Sequence, residues 1–562
     1  MELIKNRSIA AILSLAFIAI SLSGCISDNH PHHHPGIVVE KPDSFSIQKI
    51  DFEKYASISL PESAYMAVPV LAPAEKIFGQ NVTFGEGGNG AIMAEASDAS
   101  LFSSQIALAF WEGSNSSAVV VDSYENALLA SPLAVLLGAP LLYYGNTTNE
   151  ALWRIGASGS RTISVGNIYY RVGMNLRNES QVWEAIADEA SRQGLAIDYL
   201  AVANPADNRT SKFATPYISC FAPLFASENG GAVVLAGQDP NYARSKISNA
   251  MEVFARKQMP IKFICIMGDC YAVGQEYKSS KEYSGKEEWC DDDGPIPSDN
   301  YYASTDGNDF TLELSVGRVV GRNLSDICNY FYRMKDYNST LSSKTYPADA
   351  DIGSNVILGN DWNNNAITYH GVQTEYMSPD SELSAFQMFR NSKFDVQDDF
   401  LYSKLCGYPA NALVWGFEDA PSGPYLAADF AKANFISVAM DHGCPEGTVT
   451  LWYDQLVPMN PCVYFIGSCH MGCIDKYFGA KIDKSKSFLY EMLSKGAATY
   501  IASTRLMMGS YDKLPSTPAS EYEPRNGPGL NYLFFKYLIE NNETVGEALM
   551  HAKNELVRLG YV

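Results

Sequence analysis

Residues 461–472 read Pro461-Cys-Val-Tyr-Phe-Ile-Gly-Ser-Cys469-His-Met-Gly472, and residues 435–443 read Phe435-Ile-Ser-Val-Ala-Met-Asp-His442-Gly443. Each is a short run rich in Val, Ile, Phe and Tyr that stops abruptly at small and polar residues. That is the pattern of a strand buried on both faces of a parallel sheet. Open α/β sheets bind ligands beyond the carboxyl ends of their strands, so function is expected where the runs stop. If the two strands are neighbours, His442 and Cys469 emerge side by side. A thiol beside an imidazole is a nucleophile with its base.

Each residue alone also has a plain structural reading. A cysteine ending a buried strand is commonly a small core residue, and a single histidine is commonly structural. The functional reading rests on the pair. Outside the tract at 30–34, the histidines are His370, His442, His470 and His551, and only His442 follows a strand-like run and precedes a glycine.

The chain has 562 residues, 46% hydrophobic and 12% aromatic, enough for two or three domains with substantial cores. A net charge of −22 without any basic run excludes nucleic acid as an expected partner, because phosphate binding needs clustered Lys and Arg. Near the N-terminus, Lys5 and Arg7 precede an apolar run from Ile9 to Leu22 that leads into Ser23-Gly24-Cys25. This is the layout of a secretory signal, and it resembles a lipobox with Cys25 as the lipidated residue. An uncleaved membrane anchor is the other reading of the run. The expected address is the extracytoplasmic face of the cell membrane, with the lipid anchor as membrane contact and the cell envelope as a further partner. Residues 26–60, containing His30 and His32 to His34, read as a tether. The eleven cysteines show no repeated metal-ligand spacing, so no zinc site is expected.

From 61 to 250, strand-like runs such as Ala118–Asp122, Pro140–Tyr144, Thr162–Val165, Ile197–Val202 and Ala232–Ala236 alternate with helix-like ones. That alternation predicts a parallel α/β layer. Within it, Asp122, Ala130-Ser-Pro-Leu-Ala134 and Gly138-Ala-Pro140 resemble one unit of the second type of cell-wall-binding repeat. From 251 to 345 come Ile261–Gly268 with Asp269, then Pro297-Ser-Asp299-Asn-Tyr-Tyr302, the turn Asp306-Gly-Asn-Asp309, and Val316-Gly-Arg318. From 346 to 562, further strands are expected at 355–358, 412–415, 435–439, 463–466 and 498–502, with helices over 484–494 and from Thr544 to Leu559. The turn offers Asp306, Asn308 and Asp309 as hard oxygen ligands for a structural calcium, while an ordinary Asp-Gly turn fits the same residues.

This ordered set, together with His-Gly and a second strand ending in Cys, resembles the gingipain family of caspase-like (clan CD) cysteine peptidases. The resemblance covers about 251–562. It implies parallel-sheet, three-layer sandwiches, with a first subdomain at 251–345 and a catalytic subdomain at 346–562, preceded here by another α/β region. It further implies a cysteine-type endopeptidase acting on protein or peptide substrates and requiring no cofactor. Cys469 would be the nucleophile and His442 the base and later acid, with the backbone N–H groups of Gly443 and Cys469 as oxyanion donors and Asp361 orienting the histidine. The family's pocket acid would fall near His370, where no secure carboxylate stands, so preference for basic side chains does not carry over. Asp441 before the histidine and His470 after the nucleophile depart from the family pattern. A catalytically silent surface-binding or adhesion lipoprotein, with 61–250 as its binding part, stays open as the alternative.

Overall fold

In the computed structural model, the described residues are 37–50, 57–85, 91–93, 98–157, 159–279 except 172, 294–343 except 307–309, 365–369, 395–398, 433–448, 451–507 and 526–560, with a few isolated positions besides. Two parallel sheets matter for the site. The first contains β1 (Tyr199–Ala203), β2 (Gly231–Leu235), β3 (Phe263–Met267) and β4 (Ser315–Val319), in the order β4-β3-β1-β2. The second contains β5 (Asn365–Tyr369), β6 (Asp395–Asp398), β7 (Phe435–Asp441), β8 (Val463–Ser468) and β9 (Thr499–Ala502), in the order β6-β5-β7-β8-β9.

Strand β8 is buried along its whole length. Its Tyr464 and Ile466 share a core with Phe488 and Met492 of helix Phe488–Lys495, whereas Val463 and Phe465 pack with Phe534 and Phe535 of helix Asn526–Glu540. Covered on both faces, the strand has no polar face to present, which is why it reads as an unbroken apolar run. The result is the expected three-layer α/β sandwich.

Upstream, Ala118–Val121, Leu141–Tyr143, Thr162–Val165 and Met174–Leu176 form a further four-stranded parallel sheet. Ser57–Leu60 pairs in parallel with Asn81–Phe84 and Ala91–Met93. Helix Tyr124–Leu136 runs through Pro132 without a break. One apolar cluster extends from Ile47 to Phe331, so this region and the first sheet share a core.

Two expectations need correction. The boundary placed near 250 falls inside the first sheet, because β1 and β2 precede it, β1 pairing with β3 on one side and with β2 on the other. The helix expected over 484–494 is a single 3-10 turn, Lys484–Lys486, followed by helix Phe488–Lys495, because the backbone at Ser487 is extended. The strands expected at 355–358 and 412–415 lie outside the described residues. Among the described residues, no helix is long and apolar enough to cross a membrane.

The separate sequence pieces of the first sheet meet at Arg318. Its Nε and Nη2 bind Asp299 Oδ2 and Oδ1 at 2.8 and 2.7 Å, and its Nη1 donates to the carbonyls of Gly268 and Val273 at 2.8 Å each. Gly268 takes φ +114, a conformation that favours glycine, and lets the chain leave β3. Asp269 next to it is buried and paired with Lys484 at 2.5 Å, tying this end of the first sheet to the segment after β8. The guanidinium is 7% exposed, so its removal would leave the Asp299 carboxylate shielded from water without its partner. Arg318→Ala should therefore lower the unfolding free energy by on the order of 3 kcal/mol. Urea denaturation checks this; an unchanged midpoint would count against the clamp.

Candidate active site

Strands β7 and β8 are adjacent and parallel, with Phe435 opposite Val463 and Asp441 opposite Ser468. Between Val438 and Asp441, three steps of β7 face two of β8, so a bulge sits at the carboxyl end of β7. Such bulges re-aim the residues that follow them. His442 and Cys469 are the next residues after a register pair, and Ser468 Oγ donates to the Asp441 carbonyl at 2.8 Å, fastening the two strand ends. His442 is exposed and Cys469 half-buried.

Gly443 is held close to this turn. A Cβ there would collide with Ser468 Oγ and lie 3.0 Å from Met471 Cγ and 3.1 Å from the Cys469 carbonyl oxygen. Packing against the turn that carries Cys469 therefore demands glycine, a reason separate from room for substrate. Beyond it, Gly443–Cys444 pairs antiparallel with Gly447–Thr448.

The loop after β9 cradles Cys469. Met507 N–H donates to the sulfur at 3.3 Å, and the thiol faces the Met507 carbonyl at 3.7 Å. An N–H aimed at sulfur favours the thiolate. His470 N–H donates to the Arg505 carbonyl at 3.0 Å and Gly472 N–H to the Ser503 carbonyl at 2.8 Å. The loop is anchored in turn by a buried ion pair, with Arg505 Nη1 and Nη2 at 3.0 and 2.7 Å from the two oxygens of Asp475. Tyr277 adds its hydroxyl to Asp475 Oδ2 at 3.0 Å. Burial pushes the Asp475 carboxyl up, but the hydrogen bonds and charge of Arg505 outweigh it and hold the group below its usual range. Sequence reasoning missed this clamp, since nothing in the spacing of Asp475 and Arg505 marks them as partners.

Geometry separates the thiols. Burial, reinforced by Asp475, pushes Cys473 up to about 12. Burial pushes Cys462, inside the sheet, up to about 12 as well. Cys444 is half-buried and also raised, chiefly by burial. His470, the rival base, is buried with φ +58, and its ring meets Tyr477 edge-on at 4.9 Å. Asp441 is buried, and its Oδ1 accepts the backbone N–H of His442 at 2.7 Å. Asp361, His370, Asn308, Asp309 and Cys25 lie outside the described residues. Asp306 is described, with Oδ1 at 3.4 Å from Ser304 Oγ. Among the described residues, no group of three or more acidic, His or Cys side chains is arranged to hold a metal.

The family model for peptidase family C25 matches residues 213–419. The chain carries a peptidase C25 region. That stretch is similar to cysteine-type peptidases of this family. The C25 match takes in Asp269, Asp299 and Arg318 and ends before His442 and Cys469. Among solved structures, one described as a protease is similar with a TM-score of 0.44 and 13% identity, over 66% of this chain and 76% of that one. The complex of Porphyromonas gingivalis RgpB pro- and mature domains has a TM-score of 0.35 and 13% identity, over 63% and 76%. Cwp8 from Clostridium difficile has a TM-score of 0.26 and 14% identity, over 36% and 47%. No curated protein matches the chain.

Two outcomes are expected of this site. Iodoacetamide at neutral pH should modify Cys469 at least roughly tenfold faster than Cys462 or Cys473 in the native protein, as peptide mass spectrometry would read; equal rates would contradict the burial pattern. Because the folded Asp475 is held low, its stabilising contribution is full above the unfolded carboxylate value of about 3.9 and is lost as pH falls through the lower folded value. Urea midpoints should therefore fall below about pH 4 in the unmodified protein, and Asp475→Asn should start lower and lose less over that range.

Proposed function

We propose that Cys469 and His442 are the nucleophile and base of an endopeptidase, acting on extended peptide substrates across the carboxyl ends of β7 and β8. The observation that carries this reading is the parallel pairing of the two strands, which brings both residues out of the sheet at one place. The Cys469 sulfur attacks the scissile carbonyl while His442 takes the thiol proton, and the imidazolium returns that proton to the departing amine. Water then attacks the thioester carbon, losing a proton to His442, and the thiol is regenerated as the acid product leaves. The N–H groups of Gly443 and Cys469 are the proposed donors to the oxyanion, and Asp361 the proposed orienting carboxylate. A calcium at Asp306, Asn308 and Asp309 would be structural and outside this chemistry.

The finer address belongs to the same proposal. The charged and then apolar segment ending at Cys25 supports export and lipidation, which would set the peptidase on the outer face of the membrane with the cell envelope within reach.

Cys469→Ala should abolish hydrolysis of a mixed peptide library, a drop of several orders of magnitude, whereas Cys473→Ala and Cys444→Ala, each first shown to be folded, should retain it. Undiminished turnover by Cys469→Ala, or none by the unmutated protein under reducing conditions, would sink the mechanism and leave a silent surface-binding protein as the better account.

A further inference from the structure

A cavity of about 730 Å³ lies between β4, the edge of the first sheet, and β9, the edge of the second. Residues 315–320 and 499–503 line it as two unbroken runs. Successive side chains of a strand point to opposite faces, so a space touched by every residue of a run lies along the strand's edge. Edges carry the N–H and C=O groups that a sheet has not yet paired. Among the described residues, β4 pairs with β3 alone and β9 with β8 alone. Gly317, in the middle of β4, is exposed, and a Cβ there would meet nothing within 4 Å.

The walls are apolar and come from both layers. Tyr330 and Phe331 of helix Leu324–Ser343 stand on one side, and Leu530 and Leu549 of helices Asn526–Glu540 and Val545–Arg558 on the other. The first wall is fixed by Tyr330 hydroxyl donating to the Ala498 carbonyl at 2.9 Å, and by Arg333 donating to the Leu493 and Ala497 carbonyls at 2.7 and 2.9 Å. The second is fixed by Asn554, which binds both backbone groups of Leu312 at 2.9 Å. The cations at the margin are engaged, Lys335 with Glu75 and Lys553 with Asn300. Two backbone edges with apolar ceilings above and below match the needs of one chemical object, an extended chain with apolar side chains on both faces.

We propose that this slot receives an extended apolar segment of a second polypeptide, which adds as a strand to both edges and joins the two sheets. The slot reaches the catalytic turn through Met507, which lines the cavity and whose backbone N–H is bonded to Cys469 Sγ. A seated strand fixes the loop 503–507 and with it the hydrogen bond to sulfur, so occupancy raises the reactivity of Cys469. That coupling rests on the reading of Cys469 as nucleophile; the strand site itself does not.

The probe is the peptide acetyl-Lys-Val-Ile-Val-Ile-Val-amide, added to the full chain and followed by hydrogen exchange. Amides of 315–319 and 499–502 should exchange at least roughly tenfold more slowly with the peptide than without it. The analogue acetyl-Lys-Val-Pro-Val-Pro-Val-amide lacks the needed donors and should protect neither edge. Gly317→Phe, which places a ring in the slot, should abolish the protection. Both edges already protected before peptide is added, or equal protection by the proline analogue or by dodecanoate, overturns the strand site. Exchange does not depend on turnover, so the same measurement on Cys469→Ala reports the slot even if the peptidase mechanism fails. Edge protection with an unchanged rate of Cys469 alkylation overturns the coupling.

Discussion

The pairing of β7 with β8 is the constraint on which the site depends. It is enforced from outside the site, because β8 is sealed between Phe488 and Met492 on one face and Phe534 and Phe535 on the other. A slip of one residue would turn its aromatic and aliphatic side chains onto the wrong layers, so the register is strongly specified. The bulge near Asp441 then adds one residue to β7, and the Ser468 hydroxyl pins the two ends together. That Asp441 and Ser468, the residues before His442 and Cys469, lie opposite each other is thus a consequence of core packing well below them.

Around this frame, loops from three strands lock one another. The turn after β8 carries Cys469, the loop after β9 supplies the N–H to its sulfur, and the hairpin after β7 presses Gly443 against that turn. The Arg505–Asp475 pair closes the set. A buried ion pair is a weak source of net stability, since desolvation offsets much of the attraction. Its use here is geometric: both oxygens of one carboxylate are held by two nitrogens of one guanidinium, which fixes the direction of the loop.

Arg318 does the equivalent for the first sheet, gathering Asp299 and the carbonyls around Gly268 into one junction. Its partners are structural, and so the pieces of sequence that most resembled a family pattern there serve architecture. The proposed chemistry sits on the other sheet. Lys484 on Asp269 is one of the contacts that hold the two together.

Much of the second sheet was legible because its central strands are apolar on both faces: the runs at 435–439, 463–466 and 498–502 are found as β7, β8 and β9, the first two longer by two residues and the third shorter by one. The side chains at their ends were legible for the same reason, since a run that stops at His-Gly or Ser-Cys marks where the chain leaves the core. The break at Ser487, the strands β5 and β6, and the single core shared across residue 250 were not, because helix and strand bounds are decided by neighbours that sequence order does not reveal. Nor could spacing separate Cys444, Cys469 and Cys473, which lie close together in the chain; burial sets Cys473 apart by pushing it up to about 12, and of the two half-buried thiols it is Cys469 that lies under the Met507 N–H. Sequence by itself determined which strands are buried and where polar chemistry can surface, because those depend on local alternation of side chains. Only the tertiary structure decided which thiol is reachable, what Arg505 grips and that two sheet edges face a common slot, because each requires segments far apart in the chain to be brought together.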